Sequence, residues 1–138
     1  MRWHSDLAIA LTPDREGVHS ALEHRYGRDV ERLHGLPPGR RQARIRRGSR
    51  SEYRDVLYQA FRVAVELDGR AAHPGDTRWR DIRRDNAAAA DGIMTLRYGW
   101  MDISRTPCLV AAQVVQALRQ RGATDGRPCS PGCLVGRP

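Results

Sequence analysis

The sequence predicts an α/β fold whose elements run in the order α-β-β-β-α-β-α. Three observations carry this expectation: apolar residues recur at helical spacing in three separate stretches, a run of alternating apolar and polar residues lies between the first two, and Gly/Pro clusters divide the stretches. With 138 residues and 40% apolar content, the chain forms one domain around a single core.

Residues 1–13 carry only weak signals, an irregular N-terminus that could be what remains of a longer upstream region. From about Asp14 to Leu33 the apolar residues Val18, Leu22, Tyr26, Val30 and Leu33 recur at helical spacing, with Gly27 a weak point. GLPPG ends this helix. RRQARIRRGSR then reads as a basic strand and turn, holding Arg40, Arg41, Arg44, Arg46, Arg47 and Arg50. SEYRDVLYQ and FRVAVELD follow as a hairpin, because each alternates apolar and polar residues. A two-residue loop at Ala60 and Phe61 pairs Gln59 with Arg62 and sets Asp55 directly across from Glu66.

HPGDT supplies loop residues and an N-cap, Asp76 or Thr77, for a second helix. Its expected inward face is Trp79, Ile82, Asn86, Ala90 and Ile93, with Arg80, Arg83 and Arg84 largely off that stripe, and Gly92 lies near its end. MTLRY makes a short strand. Thr106 and Pro107 open a last helix carrying Val110, Val114, Val115 and Leu118, which Gly122 stops. The elements thus span residues 14–121, and the Gly- and Pro-rich tail, 122–138, is expected to be disordered.

The formal net charge is +8 and the pI about 10.6, which favours a polyanionic partner, nucleic acid ahead of an anionic membrane surface. All 24 cationic side chains are arginine, since the sequence holds no lysine. No apolar run reaches the roughly 18 residues of a membrane span, and LAIAL is too short for a signal segment, so a soluble cytoplasmic protein is expected. The three cysteines form no disulfide framework. Cys129 and Cys133 match no common zinc-knuckle spacing, a metal site there would need two more ligands, and the thiols are assigned no role.

Asp55 and Glu66 are the first candidates for chemistry. Carboxylates about 5 Å apart across a sheet repel unless something positive lies between them. A hard divalent cation would take such oxygen ligands. Solvation at strand ends, or neutralisation by the plentiful arginines, is the other account of the pair.

The element order, together with the pattern D-x10-E-x-D-G-x3-H, resembles the PD-(D/E)XK nuclease superfamily, nearest to an uncharacterised bacterial domain similar to very-short-patch repair endonucleases. The resemblance covers roughly residues 18–121 and is carried by LEHRYGRDVERLHGLP, EYRDVLY, VAVELDGRAAHP, RWRDIRRDN and TLRYGW. It implies a restriction-endonuclease-like mixed sheet flanked by helices, with 14–121 as the endonuclease-like domain. By this resemblance Asp55 and Glu66 match the metal-binding acids, Glu23 an accessory acid, and Leu67 the residue offering its backbone carbonyl to the metal. His73 matches a histidine that often follows the strand-end glycine, and Arg84 and Asp85 match an Arg-Asp pair on the next helix. Relatives often carry an upstream winged-helix segment, which does not fit into the first 17 residues.

The superfamily's lysine, two residues after the second acid, is replaced by Asp68. Arginine cannot serve as proton acceptor, because its pKa stays above about 12. His73, which titrates near neutrality when unperturbed, is the candidate in its place.

The implied function is a hydrolase: a Mg²⁺- or Mn²⁺-dependent DNA endonuclease cleaving phosphodiesters, with Asp55, Glu66, His73 and Glu23 catalytic. Asp55, Glu66 and the Leu67 carbonyl would hold the metal, and Arg44, Arg46, Arg80, Arg83 and Arg84 would hold DNA phosphates. The alternative is a non-catalytic nucleic-acid-binding protein, regulatory or antitoxin-like, on the same scaffold. Neither reading has a membrane partner.

Overall fold

The computed structural model describes residues 15–68 and 76–137. His73 and the whole of the irregular N-terminus, 1–13, lie outside them. Helix α1 (Arg15–Arg25) continues into a π-helical segment (Tyr26–Arg32), followed by strands β1 (Arg40–Arg47), β2 (Arg50–Tyr58) and β3 (Val63–Asp68). Helix α2 (Asp76–Ala90), strand β4 (Met94–Gly99), a short helix α3 (Trp100–Arg105) and helix α4 (Pro107–Gln120) complete the order. The fold is α/β: a four-stranded mixed sheet ordered β1-β2-β3-β4, flanked by helices. Strands β1, β2 and β3 are antiparallel neighbours, and β4 runs parallel to β3 after the crossover through α2. Among the described residues, no helix is long and apolar enough to cross a membrane.

Strand β3 is central, which is why its run VAVEL is buried on both faces rather than alternating with solvent. Val63, Val65 and Leu67 join Val56, Tyr58 and Tyr98 in the main core, against Leu22, Tyr26, Val30, Ile103 and the α4 residues Val110, Val114 and Leu118. A thinner cluster of Ala43, Leu57 and Ala64 lines the opposite face. The hairpin register is the expected one, with Val56 opposite Val65, Leu57 opposite Ala64 and Tyr58 opposite Val63. Its turn is longer than two residues: Gln59–Phe61 form a 3₁₀ turn, and Arg62 adopts a left-handed φ of 55°.

Three expectations change. Val18, Leu22, Tyr26 and Val30 are buried as the helical spacing requires, but Leu33 is 48% exposed and His34 is fully buried in its stead. The amide of Leu33 bonds the carbonyl of Arg28, five residues back, and the wider π turn shifts the phase of every residue after it.

The stripe expected to face inward on α2 does not: Trp79 is 65% exposed and Ile82 is also exposed. The face that docks carries Asp81, Arg84, Asp85 and the buried Ala88, and it is held by ion pairs from Asp85 to Arg97 on β4 and from Arg84 to Glu66 on β3. Polar docking hides such a face from any reading of apolar periodicity.

The tail is not disordered over its described residues. The amides of Gly126 and Arg127 donate to the carbonyls of Gly35 and His34 at 3.2 and 2.8 Å, and Ala123 and Val135 are buried.

Candidate active site

Beyond the Val56–Val65 pair, carboxylates take over the bonding between β2 and β3. The amide of Asp55 donates to Glu66 Oε2 at 3.0 Å, and the amide of Leu67 donates to Asp55 Oδ2 at 2.7 Å. Two acids that would repel across a sheet are thereby each tied to the partner strand's backbone. Leu67 thus meets the acid pair through its amide.

Helix α1 lies over this pair. His19 Nε2 is 2.9 Å from Asp55 Oδ1, and His19 Nδ1 is 3.5 Å from Glu23 Oε1, one helical turn on. The register of β1 on β2 places Arg41 opposite Val56 and Ala43 opposite Arg54, with Gln42 between them at a left-handed φ of 46°. That kink aims the Gln42 amide Nε2 at Glu23 Oε1 (2.6 Å) and Asp55 Oδ1 (3.4 Å).

On the other side of Glu66 stand two arginines. Arg84 Nη2 donates to Glu66 Oε1 at 3.1 Å and to the carbonyl of Tyr53 at 2.7 Å. The fully buried Arg54 approaches Glu66 Oε1 at 3.5 Å and donates to Glu52 at 3.2 Å. Arg84, grouped by sequence with the phosphate-binding residues, is thus part of the carboxylate site.

The charges shift titration in opposite directions. Burial, and next the charge of Asp55, push Glu66 up from 4.5 to about 7. Burial also opposes ionisation of Asp55, but the hydrogen bonds from His19 and the Leu67 amide outweigh it and hold that carboxyl below its usual value. The hydrogen bond to Asp55 raises His19 against the cost of its burial.

The donor set fits a divalent cation. One ligand atom each from His19, Glu23 and Asp55 lies within 4.8 Å of the others, a spread that bonds of roughly 2.0–2.4 Å can bridge. The oxygens suit Mg²⁺ or Mn²⁺, and the imidazole nitrogen makes Mn²⁺ the better match.

Of the residues expected from sequence, the structure brings Asp55, Glu66, Glu23, Leu67 and Arg84 together. Arg44 and Arg46 are exposed on β1, where Arg44 donates to Ser51 Oγ at 2.9 Å, and Arg80 and Arg83 are exposed on α2. His19, Gln42 and Arg54 were not anticipated. The i,i+4 spacing of His19 and Glu23 was a usable signal for the first. Nothing local marks Gln42 or Arg54. Comparison of the chain with protein-family models, curated proteins and solved structures finds no match.

Proposed function

We propose that the protein is a divalent-metal-dependent DNA endonuclease of the PD-(D/E)XK type, built on a restriction-endonuclease-like fold. The observation that carries this reading is the convergence of Asp55, Glu66, Glu23 and His19 where the β2–β3 ladder gives way to carboxylate bonds. A bound cation would supply Lewis-acid activation of water and of a phosphate oxygen, and would offset the charge that develops at phosphorus.

Asp55, Glu23 and His19 would hold that cation. Glu66 fixes the backbone of Asp55 and adds negative charge beside it, while Arg84 holds Glu66 in place. Gln42 orients Glu23. The exposed Arg44, Arg46, Arg80 and Arg83 would bind phosphates and position the duplex without reading its sequence. The proton acceptor is assigned to His73, on the sequence argument alone.

One observation favours the second reading, a non-catalytic nucleic-acid-binding protein. His19, Arg54 and Arg84 already neutralise the acids without any ion. Calorimetric titration of Mn²⁺ and Mg²⁺, paired with cleavage of supercoiled plasmid, separates the two. The nuclease reading expects saturable binding, and nicking that chelator abolishes and Asp55→Asn lacks. DNA binding without metal uptake or cleavage selects the second.

A further inference from the structure

Cys108 and the tail pair Cys129 and Cys133, which match no knuckle spacing, come together with His34. Cys108 is in the first turn of α4, and Cys129 and Cys133 flank a turn of the docked tail in which the amide of Cys133 bonds the carbonyl of Ser130 at 3.1 Å. Cys108 Sγ is 3.5 Å from Cys129 Sγ, and an imidazole nitrogen and the three sulfurs all lie within 4.8 Å of one another.

His34 is the decisive member. Its ring is fully buried, Nδ1 lies 3.0 Å from the carbonyl of Val30, and Nε2 is buried with no hydrogen-bond partner. The Val30 carbonyl can only accept, so Nδ1 carries the proton and Nε2 keeps its lone pair. A buried acceptor left unpaired is costly, whereas an imidazole oriented through its other nitrogen onto a carbonyl is the usual arrangement of a metal-binding histidine.

We infer that His34, Cys108, Cys129 and Cys133 form a structural zinc site that pins the C-terminal tail to α4 and to the end of the π-helical segment. Tetrahedral zinc with bonds of about 2.3 Å to sulfur sets its sulfurs about 3.8 Å apart, close to the separation of Cys108 and Cys129. Thiolate-rich sets select zinc over the hard ions that suit the acidic site, and four protein ligands leave no open position for a substrate. On binding, three thiols release their protons to solvent as three Zn–S bonds form, and His34 Nε2 donates its lone pair, with no change of oxidation state. The amide of Val135, 3.4 Å from Cys133 Sγ, supplies a hydrogen bond to the thiolate.

A disulfide between Cys108 and Cys129 would leave His34 Nε2 and Cys133 without a purpose. The tail has few apolar groups of its own to bury, so a metal cross-link gives its docking a source of stability that composition lacks. The site shares no residue with the Asp55 cluster.

The test uses the full chain purified without chelator. Elemental mass spectrometry should find one zinc per chain, and Cys133→Ser should lose it. Because that variant risks unfolding, the parent chain, reduced and stripped of metal, is also titrated with Co²⁺. Thiolate charge-transfer absorption and the intense visible bands of a tetrahedral site should appear and saturate at one equivalent. Zinc-free protein whose reduced form gives no thiolate band with Co²⁺ overturns the inference. So does an intact mass lower by two hydrogens in zinc-free protein, which assigns the cysteines to a disulfide. Neither result bears on the response of the Asp55 cluster to Mn²⁺.

Discussion

The backbone amide of Asp55 donates to the carboxylate of Glu66 at 3.0 Å, so the residue that supplies one acid of the site also orients the other. Asp55 Oδ2 in turn accepts from the amide of Leu67 at 2.7 Å. Each acid is thus anchored to the partner strand's backbone as well as to side chains, and that rigidity is what a binding site for a small cation needs. His19 against Asp55 closes the opposite side at 2.9 Å.

Millimolar Mn²⁺ or Mg²⁺ should raise the melting temperature of the protein, because an ion that binds only the folded state adds about 2.7 kcal/mol at a hundred times its Kd. Asp55→Asn and Glu23→Gln should each reduce the shift seen by scanning calorimetry. Equal shifts in parent and variants would place the ion elsewhere.

In chelator, Glu66→Gln should stabilise the protein at alkaline pH. Glu66 is raised to about 7 in the fold, so between 4.5 and 7 the folded state holds a proton that the unfolded state has released. The contribution of this group to stability therefore falls as pH rises through that window and is constant above it. Denaturant unfolding of parent and variant should agree near pH 4.5 and diverge, in the variant's favour, by on the order of 1–3 kcal/mol at pH 8. A constant difference across the range would remove the like-charge account.

DNA affinity should fall with salt, with a log-log slope near −0.9 per phosphate contact on duplex DNA. Replacing the exposed Arg44 and Arg46 together with Gln should make that slope shallower by about two such contacts while leaving thermal stability nearly unchanged. Fluorescence anisotropy at several salt concentrations reads both effects, and an affinity indifferent to salt would count against a nucleic-acid role.

His73→Ala should slow metal-dependent cleavage by about 10²- to 10⁴-fold with little change in DNA affinity, the loss expected when a general base is removed. Single-turnover cleavage beside a binding isotherm measures the two separately. An unchanged rate assigns proton removal to solvent.

Glu31→Ala should destabilise the fold by about 2–4 kcal/mol, since it removes the buried carboxylate that pairs the Gly39 amide, the Tyr58 hydroxyl and the half-buried Arg41. Glu31 is buried and accepts from the amide of Gly39, the hydroxyl of Tyr58 at 2.6 Å and the guanidinium of Arg41. Gly39 is obligatory there, because a Cβ would lie 2.2 Å from a methyl of Val56. Tyr58→Phe, which removes one hydroxyl, should cost nearer 1 kcal/mol. Urea titration compares them, and equal costs would show that the charge of Arg41 is not at stake.

Local pattern alone determined most of the scaffold. Alternation in FRVAVELD and SEYRDVLYQ marked both strands, and the hairpin turn assumed between them gave the register that Val56–Val65, Leu57–Ala64 and Tyr58–Val63 keep although the turn is longer. The same register put Asp55 opposite Glu66, so the heart of the candidate site was legible before any coordinates. Helical spacing likewise identified Val18 to Val30 and Val110 to Leu118 as core. What remained was decided by contacts between elements distant in the chain. The π turn rotated Leu33 out and His34 in, an effect of helix width that apolar spacing cannot register. Helix α2 docked through Arg84 and Asp85 because their partners, Glu66 and Arg97, are presented by the sheet. His34, Cys108, Cys129 and Cys133 became neighbours only when the tail folded back over α4, since spacing along a chain reports proximity only within one element, and these four come from three.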